Sequence, residues 1–263
     1  MSLQAVWLSS GASRPRGHPV TLRPGARRGE ADWADILNRE GNVMPQQAGW
    51  SLIVPLKPLA RAKSRLVAVA AGEGRAGLVL AFAEDTVAAA LACPAVRDVA
   101  VVTDDPVAGR RLARLGAQVV PDVARGGLNA ALAHGAEVVR RRRWGPAAVA
   151  ALGADLPALR PAELARVLAA AAAHPRAFVA DAAGVGTTVL TAREEAALAP
   201  AFEGASRARH RDSGAVELAL PGVESVRQDV DTGADLRRAL ALGVGPRTAS
   251  VVRRVTVSGV SPG

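Results

Sequence analysis

Both lysines of this 263-residue chain lie within seven residues of each other, at Lys57 and Lys63. The segment that carries them, VPLKPLARAKSRL, follows an apolar run and also contains Arg65. Because every other basic side chain with a permanent charge is arginine, the pair indicates a specific need for compact ammonium groups, which suit phosphate oxygens. Two surface lysines placed together by chance are the alternative. The position after a first strand favours an anion site, since open α/β sheets bind ligands at the carboxyl ends of their strands.

Three aspartates later in the chain could bind a hard divalent cation. Asp155 follows the apolar run AAVAAL in the segment GADLP, where the small Gly153 leaves room for a ligand. Helix capping by Asp155 is disfavoured, because Pro161, the expected first helical residue, lies too far along the chain. Asp229 and Asp231 lie in QDVDTGADL, which also looks like the start of a helix. For Asp231, capping and metal binding are both open.

These polar residues follow apolar segments that alternate with helical patterns. The predicted strands are SLIVPL (51–56), RDVAVVT (97–103), AQVV, PAAVAAL, AFVAD, TTVLTA and ESVRQDV. Helices are predicted over 75–92, in PVAGRRLARLG, from Leu128, after Pro161, in the region SRARHRDSGAVELAL and from about Thr232. This alternation predicts an α/β fold with a mainly parallel sheet and helices on both faces. Four strand ends would then present polar clusters, at residues 57–65, 103–105, 153–157 and 229–232.

Composition narrows the class of protein. With 49% apolar and 22% charged residues, and without an uncharged apolar stretch of membrane-spanning length, we expect a soluble, cytoplasmic chain with a sizeable core. Cys93 is the only cysteine, which excludes an intrachain disulfide, and its expected state is a small buried hydrophobe. The net charge of +9 could suggest nucleic acid, but the run Arg140–Arg143 ends a helical pattern and has no interleaved aromatic residues. We interpret that run as a solvated helix end.

Residues 1–48 differ from the rest of the chain, with turn-forming residues, scattered charge and no sustained period. The pattern predicts a poorly ordered N-terminal extension, followed by a single domain over residues 49–263. The extension lacks the apolar segment and cleavage site of a secretory signal. We hypothesise that the working protein starts at or near Met44 and that residues 1–43 are dispensable.

Seven motifs occur in the order and approximate spacing of a known family. They are PLKPLARAKSRL, VVTDD, GGLNAAL, GADLPAL, DAAGVGTTVL, SRARHRDSGA and QDVDTGADL. Together they resemble the guanylyltransferases of coenzyme F420 biosynthesis, the CofC/FbiD family, from Ser51 to about Gly245. The resemblance implies a nucleotidyltransferase fold related to the A-type glycosyltransferases. It also implies an enzyme that joins GTP to a small phosphorylated three-carbon acid and releases diphosphate.

The resemblance implies roles for the residues that bind nucleotide and metal. Lys57, Lys63 and Arg65 would be the catalytic cations around the triphosphate, where related enzymes have a Gly-rich loop. Asp155 and Asp231, with Asp229 beside them, would hold Mg²⁺. Leu128 and Asn129 would lie near guanine or ribose, with helix capping by Asn129 as the alternative. Catalysis would consist of positioning and charge neutralisation, without a protein nucleophile.

The same comparison implies that Thr187, Gly204 and Ser206 bind the acceptor acid, since small residues let backbone amides approach an anion. The stretch FEGAS departs from the family pattern, in which Gly follows Phe directly. We interpret His210 as a structural or solvated residue, because an ionised phosphate nucleophile needs no general base.

The predicted partners are GTP and the acid, without nucleic acid or membrane. High arginine and alanine usage, typical of a GC-rich genome, favours phosphoenolpyruvate as the acid, and the product would be enolpyruvyl-diphospho-5'-guanosine. The alternatives are 2-phospho-L-lactate and 3-phosphoglycerate. Another nucleotidyltransferase of this fold, such as a molybdopterin nucleotide transferase, is disfavoured by the missing Gly-rich opening loop. From a different class, a non-catalytic basic protein that binds nucleotide or nucleic acid would share the same charge and fold.

Overall fold

The computed structural model of the protein describes residues 49–59, 72–123, 126–142 and 147–258. The predictions for residues 1–48 lie outside the described residues, as do those for Lys63 and Arg65. All statements below concern the described ranges.

Seven strands within these ranges form one sheet. They are β1 (Trp50–Pro55), β2 (Val96–Val102), β3 (Gln118–Val120), β4 (Val149–Leu152), β5 (Arg176–Ala180), β6 (Thr187–Ala192) and β7 (Val216–Glu217). Their order across the sheet is β3-β2-β1-β4-β6-β5-β7. Strand β6 is antiparallel to its neighbours β4 and β5, whereas the other pairs are parallel. The predicted mainly parallel sheet is confirmed.

Helices pack on both faces of this sheet, as predicted. They are α1 (Gly72–Leu91), α2 (Pro106–Ala113), α3 (Gly127–Arg142), α4 (Pro161–Ala171), α5 (Ser206–Asp212), α6 (Glu224–Arg227), α7 (Gly233–Leu242) and α8 (Pro246–Ser258). Alternate residues of a strand point to opposite faces. In β1, Leu52 and Val54 join the apolar cluster of α1, α2 and α4, while Ile53 joins the cluster of α3.

Gly135 allows α3 to approach the sheet closely. A Cβ atom at this position would lie 2.7 Å from a methyl carbon of Ile53 and 2.7 Å from one of Val102. Neither methyl is the end of a flexible side chain, so a larger residue would push the helix away. The close packing brings the first turns of α3 to the edge of the sheet where β1 and β4 end.

The segment ESVRQDV, predicted as a strand, contains a short helix instead. Helix α6 occupies Glu224–Arg227, and residues 228–230 are neither helix nor strand. The buried carboxylate of Glu163 accepts a hydrogen bond from the backbone N–H of Ser225 at 2.9 Å. The prediction was wrong because this contact from another helix outweighs the alternating pattern of the segment.

Helix α8 was not predicted, because its sequence is rich in β-branched residues that favour strands. Its first turn is capped from a distance by Asp85 of α1, which accepts hydrogen bonds from the amides of Arg247 at 3.2 Å and Thr248 at 2.7 Å. Val251 and Val252 pack against an apolar cluster that includes residues of α1 and α7. Tertiary contacts therefore override the local preference.

One arginine of the run at the end of α3 forms hydrogen bonds with a distant part of the chain. Arg140 donates from Nη2 to the carbonyl oxygens of Arg193 at 3.2 Å and Ala196 at 2.7 Å. The interpretation of a solvated helix end is confirmed for the exposed Arg141 and Arg142, and it is wrong for Arg140.

Cys93 is buried, as predicted, and its burial raises the pKa of the thiol. Among the described helices, none combines the length and the apolar character needed to cross a membrane.

Candidate active site

A cavity of about 420 Å³ opens where β1 and β4 end. The start of β6, the first turn of α3 and two loop segments complete its wall. Eight residues singled out from the sequence line it: Lys57, Leu128, Asp155, Thr187, Gly204, Ser206, Asp229 and Asp231. Asn129 is not among the lining residues. These eight residues bring a cation, three carboxylates and two hydroxyl groups to one space, and Asp181 and Glu203 add two further carboxylates.

The three aspartates form an acidic cluster. One carboxylate oxygen from each of Asp155, Asp229 and Asp231 lies within 4.8 Å of the other two. Oxygen ligands of one octahedral Mg²⁺ are roughly 3 to 4 Å apart, given bonds of about 2.1 Å. Small rotations of the side chains would therefore suffice to bring all three onto one ion, and the donor set fits a hard divalent cation.

Helix capping does not account for any of these carboxylates. The residue that precedes α4 in the N-cap position is Arg160, not Asp155. Helix α7 is capped by Thr232, whose hydroxyl accepts from the N–H of Asp235, while the Asp235 carboxylate accepts from the Thr232 N–H. The alternative that Asp231 is the cap is therefore wrong, and its side chain lines the cavity instead.

Backbone hydrogen bonds bring the two acidic segments together. The N–H of Val230 donates to the carbonyl oxygen of Asp155 at 3.0 Å, and the N–H of Gly153 donates to Thr188 at 3.1 Å. The segment 153–156 is thus held between β6 on one side and residues 229–231 on the other. The acidic cluster depends on this pairing between distant parts of the chain.

A buried hydroxyl on α1 forms a hydrogen bond with the segment 153–156. Thr86 is fully buried, and its Oγ1 donates to the carbonyl of Phe82 at 2.8 Å. The same oxygen accepts from the N–H of Leu156 at 3.1 Å. Thr86 therefore fixes the residue next to Asp155.

We expect Thr86→Val to destabilise the fold by about 1–3 kcal/mol, because the buried N–H of Leu156 would lose its acceptor. Turnover should fall as well, since the displaced segment carries Asp155. Urea denaturation and initial rates measure the two effects. Thr86→Ser keeps the hydroxyl and should behave almost like the wild type. If Val and Ser variants were equally stable, the hydrogen bond would not support the site.

Lys57 forms an ion pair inside the cavity. Its Nζ lies 3.0 Å from Oε1 of Glu203, and more than half of each side chain is exposed. Glu203 lies directly after Phe202, where the pattern expected from the family resemblance has glycine. Its φ of 75° explains that pattern, because the left-handed region favours glycine. This chain therefore has a carboxylate side chain beside the Lys57 ammonium, at a position where glycine would have none.

The loop that carries Glu203 is tied down by two side chains. Asn129 of α3 accepts from the N–H of Phe202 at 2.7 Å and donates to its carbonyl at 3.3 Å. Arg209 of α5 donates to the carbonyls of Phe202 and Glu203. Asn129 lies inside α3, so it does not cap that helix. Its predicted contact with the nucleotide stays a prediction.

Asp105 holds the loop that follows β1. Its carboxylate caps α2 through the amides of Val107 and Ala108, and it also accepts from the N–H of Leu59 at 3.0 Å. Burial acts to raise the pKa of Asp105, but the three amide hydrogen bonds outweigh it and hold the pKa below its ordinary value. The carboxylate therefore stays charged and anchors the chain two residues after Lys57.

His210 contacts both the loop that carries Glu203 and the first residue of β6. Its Nδ1 lies 3.0 Å from Oγ1 of Thr187, and the N–H of Ala201 donates to its Nε2 at 2.9 Å. Burial, with the charges of Arg176 and Arg209, lowers the pKa of His210 to about 4. Of the two interpretations given above, structural or solvated, the burial of His210 excludes the second, and the neutral ring is linked to a residue of the cavity.

Asp181 lines the cavity but was not identified from the sequence. Its carboxylate accepts from the amides of Val185 at 2.9 Å and Gly186 at 2.8 Å, which shapes the turn before Thr187. A Cβ at Gly186 would lie 2.4 Å from an Asp181 oxygen, so a larger residue would displace the carboxylate from these two amides. Asp181 lies directly after the strand AFVA and before a Gly-rich turn, and this position could have identified it from the sequence as a candidate site residue.

Structural comparison defines the fold. The chain superposes on a 4-diphosphocytidyl-2C-methyl-D-erythritol synthase with a TM-score of 0.52 and 12% identity, over 74% of this chain and 99% of the other. A nucleotidyl transferase from Methanothermobacter gives a TM-score of 0.51 and 22% identity, over 74% and 97%. The fold is that of the nucleotidyltransferases, as predicted.

Sequence comparison identifies the family. Residues 50–262 match the family described as "Guanylyl transferase CofC like", and the chain belongs to this family. A curated relative from Streptomyces coelicolor, named phosphoenolpyruvate guanylyltransferase, is 70% identical over 210 residues, which are 80% of this chain and 99% of the relative. The predicted family and the predicted enzyme class, a nucleotidyltransferase, are confirmed.

Proposed function

We propose that the protein transfers the guanylyl group of GTP to phosphoenolpyruvate, which yields enolpyruvyl-diphospho-5'-guanosine and diphosphate for coenzyme F420 biosynthesis in the cytoplasm. The observation that carries the proposal is the 70% identity along 99% of a relative named for this reaction. The cavity supports it, since it joins a lysine, an acidic cluster and hydroxyl donors. Such a set suits two anionic substrates and a divalent cation.

In this reaction a phosphate oxygen of the acid attacks the α-phosphorus of GTP in line, and diphosphate leaves. Lys57 binds and orients the triphosphate, together with Lys63 and Arg65, while Thr187, Gly204 and Ser206 hold the acid. Asp155, Asp229 and Asp231 would hold Mg²⁺. When bound there, the ion would supply charge neutralisation on the phosphate oxygens. Because the attacking phosphate is already ionised, the chain needs to supply only position and charge.

Diphosphate release by the purified protein with GTP and Mg²⁺ tests the function. Phosphoenolpyruvate, 2-phospho-L-lactate and 3-phosphoglycerate are run side by side with a sample that lacks acid. Release that requires phosphoenolpyruvate supports the proposal, while release with another acid reassigns the acceptor. A folded protein that releases diphosphate with none of them contradicts it. Removing the divalent ion with a chelator should stop the reaction, and Mg²⁺ should restore it.

The Lys57–Glu203 ion pair leads to a prediction about GTP binding. A triphosphate that binds Lys57 must displace the Glu203 carboxylate, so Glu203→Gln should lower the KM for GTP. Exposed ion pairs contribute up to about 1 kcal/mol, so the decrease should be roughly two- to fivefold. Initial rates at low salt measure it, and the difference should shrink at high salt because ions screen exposed charges.

Glu137→Gln is the matched control for this variant. Glu137 also forms an exposed ion pair, with Arg141, but on α3 and outside the cavity lining. We expect its KM for GTP to equal that of the wild type. A KM that rises in Glu203→Gln would mean that Glu203 assists the nucleotide instead of competing with it.

Deletion of residues 1–43 should leave kcat and KM unchanged. The family match begins at residue 50, and the S. coelicolor relative is covered almost fully by 80% of this chain. Both support a catalytic unit that starts near Met44. Steady-state kinetics of the deletion variant beside the full chain, with melting temperatures to verify folding, test this. Loss of activity in a folded variant would assign the N-terminal segment a role in the reaction.

A further inference from the structure

The hydrogen bonds of His210 determine which ring nitrogen carries the proton. The backbone N–H of Ala201 points to Nε2 at 2.9 Å, and an amide N–H is a donor that cannot accept. Nε2 must therefore be the unprotonated, accepting nitrogen. A neutral imidazole with a bare Nε2 carries its proton on Nδ1.

This tautomer determines the role of the Thr187 hydroxyl. Nδ1 lies 3.0 Å from Oγ1 of Thr187, so the Nδ1–H donates and the hydroxyl oxygen accepts. A hydroxyl that accepts from a fixed donor directs its own proton elsewhere. Thr187 lines the cavity, so a molecule bound there can accept that proton.

We propose that His210 is a positioning residue that makes the Thr187 hydroxyl a hydrogen-bond donor to an anionic oxygen of the acceptor acid. The inference rests on the proposed function, because the acid is the anion that the cavity would receive beside Thr187. His210 acts through Thr187 and does not touch the substrate. It is not a general base, since Nε2 is occupied by the Ala201 amide and Nδ1 already carries a proton.

The surroundings of the ring keep this arrangement rigid. His210 is 0% exposed, and its ring centroid lies 5.8 Å from that of Phe178 and 5.0 Å from that of Phe202, the latter edge to face. Rotation of the ring is thereby restricted. The guanidinium groups of Arg176 and Arg209 and the burial of the ring disfavour the imidazolium form, which would also turn Nε2 into a donor against the Ala201 N–H. The directing effect therefore holds at and above neutral pH.

A pair of substitutions separates the two hydrogen bonds. The terminal amide of Gln reaches approximately the place of Nε2, and that of Asn the place of Nδ1. His210→Gln can keep an acceptor for Ala201 but loses the donor to Thr187. His210→Asn can keep the donor to Thr187 but loses the acceptor for Ala201. A role in folding alone would make both variants unstable without distinguishing their substrate kinetics.

We expect His210→Gln to raise the KM for the acid about tenfold or more, with the KM for GTP unchanged, since a hydrogen bond to a charged group is lost or misdirected. Thr187→Val should show the same increase, and His210→Gln should add nothing in that background. His210→Asn should keep the KM for the acid near the wild-type value and lower the melting temperature. A wild-type KM for the acid in His210→Gln, or additive effects with Thr187→Val, would overturn the proposal.

Nitrogen-15 NMR of histidine-labelled protein tests the tautomer without any turnover. The resonances of His210, identified by their loss in His210→Asn, should show a protonated Nδ1 and a bare Nε2 at neutral pH. A protonated Nε2 would overturn the inference. If the wild type released no diphosphate with any acid, the proposed function would fail while the tautomer result stood. A fully active wild type with normal kinetics in His210→Gln would instead refute the inference alone.

Discussion

Asp155→Asn should lower kcat/KM by about three orders of magnitude and leave the fold intact. The amide has the size of the carboxylate but no negative charge, so the acidic cluster would hold a divalent ion far more weakly. The stabilisation that such an ion gives to phosphoryl transfer is several kcal/mol, and each 1.36 kcal/mol is about tenfold in rate. The backbone carbonyl that accepts from Val230 is unaffected by the change.

Diphosphate release across a Mg²⁺ titration measures this loss, and thermal melting verifies the fold. Asp212→Asn is the control, because Asp212 is an exposed aspartate at the end of α5, outside the cavity lining. It should retain normal kinetics. Near-normal rates in Asp155→Asn, at limiting as well as saturating Mg²⁺, would refute the assignment of the acidic cluster.

Lys57→Ala should lower kcat/KM roughly a hundred- to a thousandfold, the range found when one preorganised charge-stabilising donor is removed. Lys57 lies at the end of β1, where its chain is anchored by Asp105 through Leu59. Lys57→Arg should recover only part of the activity, because a planar guanidinium does not replace a compact ammonium among phosphate oxygens. Rates with GTP varied at saturating acid measure the effect.

The loss of activity in Lys57→Ala should not be accompanied by a loss of stability. The ion pair with Glu203 is exposed and contributes little to folding, so the melting temperature of Lys57→Ala should match the wild type. The double variant Lys57→Ala with Glu203→Gln should be no more active than Lys57→Ala. Normal kinetics in Lys57→Ala would mean that the neighbouring Lys63 and Arg65, and not Lys57, supply the catalytic charge.

Many of the residues that line the cavity could be predicted from the sequence, because apolar runs indicate strands and the polar residues after them lie at the strand ends. The strand TTVLTA was predicted with the bounds that the structure shows. Lys57 and Asp155 lie two and three residues after the ends of the buried strands β1 and β4, and the parallel pairing of these strands brings those ends to one edge. The family resemblance added Thr187 and Ser206, which line the cavity but have no strand-end signal as clear as that of Asp155.

The remaining features depend on partners that are far apart in the chain. The sequence around Thr86 does not predict its contact with Leu156. The sequence around His210 likewise does not predict its contacts with Ala201 and Thr187, because these contacts exist only after the helices pack. Helix α8 likewise needs its cap from Asp85. Glu203 was visible only as a departure from the family pattern, without its ionic partner.

The backbone pairing of Val230 with Asp155 has a consequence for the synthesis of the chain. All seven strands of the described sheet precede residue 218, so the sheet can form on the nascent chain before Asp229 and Asp231 are available. A ribosome must therefore translate almost the entire message before the acidic cluster is complete. Polypeptides that end ahead of this segment would contain all seven described strands and yet lack two of the three carboxylates of the acidic cluster.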